Sequence, residues 1–135
     1  MAAGSGGRQG DGMDIVQTTA GRRRLLQVNA TVCALSGLVA VAAGGWLAGV
    51  LDVPTTAVRV VGAALLVFAA GVGAAVRAPD GQLPGLVRLV GWADAAWVAA
   101  TVVLVAAGAF SGAGTVLALA SGVVVAGFAY LELRP

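Results

Sequence analysis

The sequence has no histidine and no lysine, a single cysteine, and charged residues at only 10% of its 135 positions. Each shortage excludes a class of chemistry. Without histidine the commonest general base is missing, and no nucleophile stands beside a base, so no catalytic set can be assembled. One cysteine, Cys33, excludes an intrachain disulfide. A lone Cys in an apolar stretch reads as a small packing residue. With no His/Cys cluster the usual metal ligands are absent too, so no metal or cofactor is expected. A soluble domain carries about 25% charge, and this chain falls far below that.

Apolar residues fill the space that charge leaves. They make up 59% of the chain, and they gather into four runs. Span 1 is expected over roughly Val28–Leu51, span 2 over Ala57–Val76, span 3 over Leu86–Phe110 and span 4 over Thr115–Leu131. About 20 helical residues cross a hydrocarbon core. The runs are continuously apolar rather than alternating, so a β-barrel is excluded, and helices satisfy their own backbone groups in lipid. The expected fold class is all-α, a four-helix transmembrane bundle. Short loops make sequence neighbours antiparallel, in up-down-up-down order.

Residues 1–20 are Gly-rich, polar and aperiodic, which predicts a disordered tail. Residues 21–135 form the membrane domain, and Met13 is an alternative start to Met1. The segment GRRRLLQ resembles a twin-arginine export signal. The long first apolar run and the three spans after it instead favour an uncleaved span. Asp52, Val53, Pro54 and Thr55 predict a turn, with Thr55 or Thr56 as N-cap of span 2. The APDG segment predicts another turn.

Arginine sets the orientation. Arg8, Arg22, Arg23, Arg24, Arg77, Arg88 and Arg134 fall on the N-terminal side of the bundle, and Arg59 alone on the other. That bias places both termini in the cytoplasm and the chain in the cell membrane. The collar Arg22–Arg24 suits anionic headgroups; three arginines do not make a nucleic-acid surface. Trp46, Trp92 and Tyr130 sit near span ends, where such rings anchor at the interface.

Helices in lipid associate where small residues let backbones approach. Ser36, Ala40 and Gly44 stripe span 1, and Gly45 with Gly49 makes a GxxxG. Ala69 with Gly73 marks span 2. Ala118, Gly122 and Ala126 stripe span 4. These faces predict packing within the bundle, or against a second copy or another membrane protein.

Asp94 is the one acid well inside an apolar run. It lies six residues past Arg88, roughly 9 Å along the helix. A carboxylate at the bilayer centre is disfavoured by about 2.5–3.5 kcal/mol on the insertion scale, and by less at this depth. Asn29 lies at matching depth in span 1, and Trp97 shares the Asp94 face. Two readings stay open: an interhelical polar clasp of Asp94 with Asn29 or Trp97, or a proton or cation site. Arg59 is expected to snorkel to the outer interface or to pair with Asp52, with an anion site as the alternative.

The segments LLQVNATVCALSGL, LDVPTTAVRVVGAALLVFA, GWADAAWVAATVVLV and GVVVAGFAYLE resemble a class of small actinobacterial four-helix integral membrane proteins of uncharacterised function. The Ala/Gly/Val-rich composition, typical of a GC-rich genome, suggests the same source. Asn29, Arg59 and Asp94 are that pattern's polar positions. The resemblance implies a fold and a compartment, and no activity. Small multidrug transporters are similar in length but carry a membrane-embedded Glu in their first span, where this chain has no acid. The expected function is a structural or accessory membrane protein without catalytic activity. The alternative is a small proton- or cation-coupled transporter using Asp94.

Overall fold

A computed structural model describes residues 18–135, and those residues form five helices and no strand. They are α1 (Thr19–Ala42), α2 (Gly44–Leu51), α3 (Thr55–Ala75), α4 (Leu83–Ala106) and α5 (Gly112–Leu133). Four of them, all but α2, are long and apolar enough to cross a membrane. Most of the expected tail, with Met1, Arg8 and Met13, lies outside the described residues.

The element bounds differ from the hydropathy reading at informative places. α1 starts at Thr19, nine residues before the apolar run expected at Val28, and takes the arginine collar into its first turns. Its start is fixed by a cap: the Thr18 hydroxyl accepts from the Gly21 N–H at 3.0 Å, satisfying a donor that the first turn leaves orphaned. Span 1 is then two helices, interrupted at Ala43 beside the Gly44-Gly45 pair, a common setting for a helix irregularity. α3 is capped by Pro54, with no side-chain bond from either threonine. α5 is N-capped by Ser111, whose hydroxyl accepts from Gly114 N–H at 3.1 Å, and it runs on to Leu133. That extension carries Glu132 inside the last turn.

The helices pack chiefly in two pairs, α1 on α3 and α4 on α5. The first seam is dry and close. A Cβ built on Gly37 would sit 2.8 Å from the Gly62 carbonyl oxygen, and one built on Gly62 would sit 2.8 Å from the Ala40 Cβ. Only glycine leaves room for this backbone approach. The small residues that matter are thus Gly37 and Ala40 on α1 and Gly44 at the start of α2, all buried. Ser36 is exposed, and Gly45 and Gly49 meet nothing within 4 Å.

Two apolar clusters mark the two ends. Leu26, Val72, Ala75, Leu83, Val87 and Val90 bring together the start of α1, the end of α3 and the start of α4. Ala40, Ala48 and Val58 form the other. At the first end Arg23 reaches across to the α3–α4 loop. Its guanidinium donates to the Val76 carbonyl, to the Ala78 carbonyl at 2.9 Å and to Asp80 at 2.5 Å. One arginine of the collar is therefore a loop clamp. At the far end Ser111 donates its N–H to Leu51 O at 3.2 Å and its hydroxyl to Val50 O at 2.6 Å.

Candidate intramembrane polar site

Three polar side chains are buried among the described residues: Asn29, Asp94 and Glu132, at 2%, 4% and 2% exposure. They come from three helices and meet. Helical spacing brings each one inward. Asn29 follows Leu26 by three residues and precedes Cys33 by four, on the inner face of α1. Asp94 continues the buried row Val87, Val90, Gly91 on α4. Glu132 continues the buried row Gly122, Ala129 on α5. Residues three and four apart share a helix face.

Gly91 sets how closely α5 approaches α4. A Cβ there would lie 2.9 Å from the Glu132 Cβ and 2.9 Å from the Leu133 Cγ. An alanine would push the end of α5 outward and take Glu132 from its partner.

The Asn29 amide is the hub. Its Nδ2 donates to Asp94 Oδ2 at 2.7 Å and to Glu132 Oε1 at 2.7 Å. An amide nitrogen has two N–H groups, so both are used. Its Oδ1 accepts from the Cys33 thiol at 3.3 Å. Cys33, expected to act only as packing, thus closes the network on α1. Glu132 Oε2 is buried and has no hydrogen-bond partner, and neither carboxylate lies within 4 Å of an arginine. Two acids therefore share one neutral amide without a countercharge. Unpaired buried charge is costly, so the site holds best when a proton or a cation offsets it. The described residues contain no group of three or more His, Cys, Asp or Glu side chains placed to hold a metal ion.

A crevice of about 210 Å³ adjoins the cluster. Asp94 and Trp97 of α4, Leu65 and Phe68 of α3, Cys33 of α1 and Val125 of α5 line it. It lies where the two helix pairs meet, and α3 and α4 touch each other little.

The residues singled out from sequence fare differently. Asn29 and Asp94 are brought together by a direct hydrogen bond. Trp97 lies in the crevice wall beside Asp94, and its indole makes no hydrogen bond to that carboxylate. Asp52 and Arg59 are not brought together within 4 Å. The reason is local: Asp52 caps α2 in the left-handed region, φ 57° and ψ 49°. Asp adopts that conformation more readily than most residues. Arg59 is exposed, and its side-chain stem runs alongside Gly44.

Glu132 was the missed member. Hydropathy alone ends span 4 at Leu131 and leaves Glu132 as an interfacial charge. The inward row at Gly122, Val125, Ala129 and Glu132 was the available signal, since its spacing of three and four persists to the last turn. Comparisons with family models, curated proteins and solved structures give no match to the chain.

Proposed function

We propose that this chain is an accessory protein of the cell membrane, without catalytic activity, that crosses the bilayer four times with both termini in the cytoplasm. The observation that carries it is the three-way bond of Asn29 to Asp94 and Glu132, which ties α1, α4 and α5 at one end of the bundle. Polar contacts between helices in lipid contribute about 0.6–2 kcal/mol each, enough to fix a register among smooth Ala/Val faces. The orientation is supported by the arginines. Of the eight, Arg59 alone sits toward the far end of the bundle, in the first turns of α3, in keeping with the positive-inside bias. Gly45 and Gly49, with nothing packed against them, offer a face to a second copy or to another membrane protein. The test is cysteine accessibility in whole cells on a Cys33→Ser background. Labelling from outside at Thr56 but not at Gly81 supports the orientation, and the reverse pattern sinks it.

One observation favours a second reading, a small proton- or cation-coupled transporter. A mere clasp needs one acid, whereas this cluster holds two and leaves Glu132 Oε2 without a partner. In vesicles loaded with a pH-sensitive dye, this reading expects proton flux lost in Asp94→Asn and kept in Asp52→Asn. Equal flux in protein-free vesicles removes it.

A further inference from the structure

Beyond holding helices together, the crevice beside the cluster has the makings of a ligand site. Its walls are Leu65, Phe68, Trp97 and Val125, and its one carboxylate is that of Asp94. Asp94 belongs to both structures: one oxygen accepts from Asn29, and the residue also faces the crevice. The carboxyl groups of this region are those of Asp94 and Glu132; neither lies within 4 Å of an arginine, and Glu132 keeps an oxygen without a partner. From α3, the remaining wall, only apolar side chains face the space. Phe68 and Trp97 come from different helices. Aromatic faces attract organic cations, most strongly when water is excluded.

We infer that this crevice binds a small lipophilic organic cation, an amine or quaternary ammonium carrying one ring or a short chain. Its charged head would rest on Asp94 and its apolar part between Phe68 and Trp97. Size sets the limit. Pockets for drug-sized ligands run to about 300–1,000 Å³, and about 210 Å³ admits something smaller. A free fatty acid or another anion is excluded by the two acids. A neutral acyl chain would offer Asp94 no partner of opposite charge. Binding here is independent of whether anything crosses the membrane.

Benzyltrimethylammonium is the probe, because its uncharged carbon isostere, neopentylbenzene, has the same shape. Binding is read by Trp97 fluorescence in purified protein carrying Trp46→Phe and Trp92→Phe, both exposed positions. The expected result is saturable binding of the cation, weakened about tenfold or more by Asp94→Asn, the order of one charge-assisted contact. Asp52→Asn, an acid in the turn at the other end of the bundle, leaves binding unchanged. Asp94→Asn can still accept from Asn29. Should it nevertheless fail to fold, Ala64→Leu fills the crevice and leaves both acids in place, and loss of binding there gives the same answer. No saturable binding overturns the inference. So does equal binding of the neutral isostere, or affinity unaffected by both Asp94→Asn and Ala64→Leu.

Discussion

Two seams hold this bundle, and they are built on opposite principles. Between α1 and α3 the contact is made by absence: Gly37, Gly62 and Ala40 have so little side chain that backbones touch, and no buried polar group is needed. Among α1, α4 and α5 the contact is made by functional groups, with Asn29 donating to two acids. Close packing gains many small dispersion terms and tolerates no added volume. A polar hub gains few but directional bonds, and leaves a costly remainder when one partner goes. The dry seam therefore serves rigidity alone. The polar seam gathers two acids beside a crevice, which is where chemistry can enter.

The sharpest way to break the contrast is at the hub. Asn29→Leu removes both N–H donors and leaves two buried carboxylates facing each other. It should destabilise the protein by roughly 2–4 kcal/mol, read as a lowered unfolding midpoint in detergent. A midpoint equal to wild type would show that the cluster contributes nothing to the fold. The dry seam should break next. Gly37→Ala forces a methyl to 2.8 Å from the Gly62 carbonyl oxygen, and overpacking of this kind costs about 1–3 kcal/mol. Gly45→Ala, with nothing within 4 Å, is the matched control and should stay near wild type. If the two alanines behave alike, the α1–α3 contact does not depend on glycine at position 37.

Gly91→Ala sharpens the comparison, because it applies the dry seam's weakness to the polar one. The added methyl meets Glu132 Cβ and Leu133 Cγ at 2.9 Å, and the expected loss is about 1–2 kcal/mol. In a double-mutant cycle with Glu132→Gln the two effects should not add, since both act on one contact. Additive losses would separate Gly91 from the cluster. Smaller again is Arg23→Met. It removes the clamp on Val76, Ala78 and Asp80, but Asp80 is 73% exposed, and exposed pairs contribute little. About 1 kcal/mol is expected, with faster amide exchange confined to the α3–α4 loop. The smallest effect is at Asp52. Asp52→Gly suits φ 57° without steric cost and should change stability by under about 0.5 kcal/mol, whereas Asp52→Val should lose about 1 kcal/mol. Equal behaviour of the two would argue against the left-handed cap.

The two seams were not equally legible beforehand. Asn29 and Asp94 stand out because polar atoms are rare in these runs, and equal depth from the arginine-rich end suggested that they meet. Glu132 did not stand out, since an acid at the end of a span reads as interfacial. Its burial depends on α5 continuing to Leu133 and on the gap that Gly91 leaves in α4. The glycine seam was harder still. Small residues are so common here that Ser36, Gly45 and Gly49 were as eligible as Gly37, and only contact with α3 separates them. The Asp52–Arg59 pair failed for a related reason: opposite charge at short sequence distance says nothing about backbone conformation, and the turn uses Asp52 in its left-handed region.

The sequence by itself determined the solvent class, the all-α fold, the number of long apolar helices and the rarity of polar groups within them. These follow from composition and run length, because the cost of burying charge and unpaired backbone is paid residue by residue. Only the tertiary structure decided which small residues form the α1–α3 seam, that Arg23 clamps a loop, and that Asn29 serves two acids beside a crevice. Those depend on the rotation of each helix about its own axis, which a nearly uniform Ala/Val/Gly surface leaves unspecified until the helices touch.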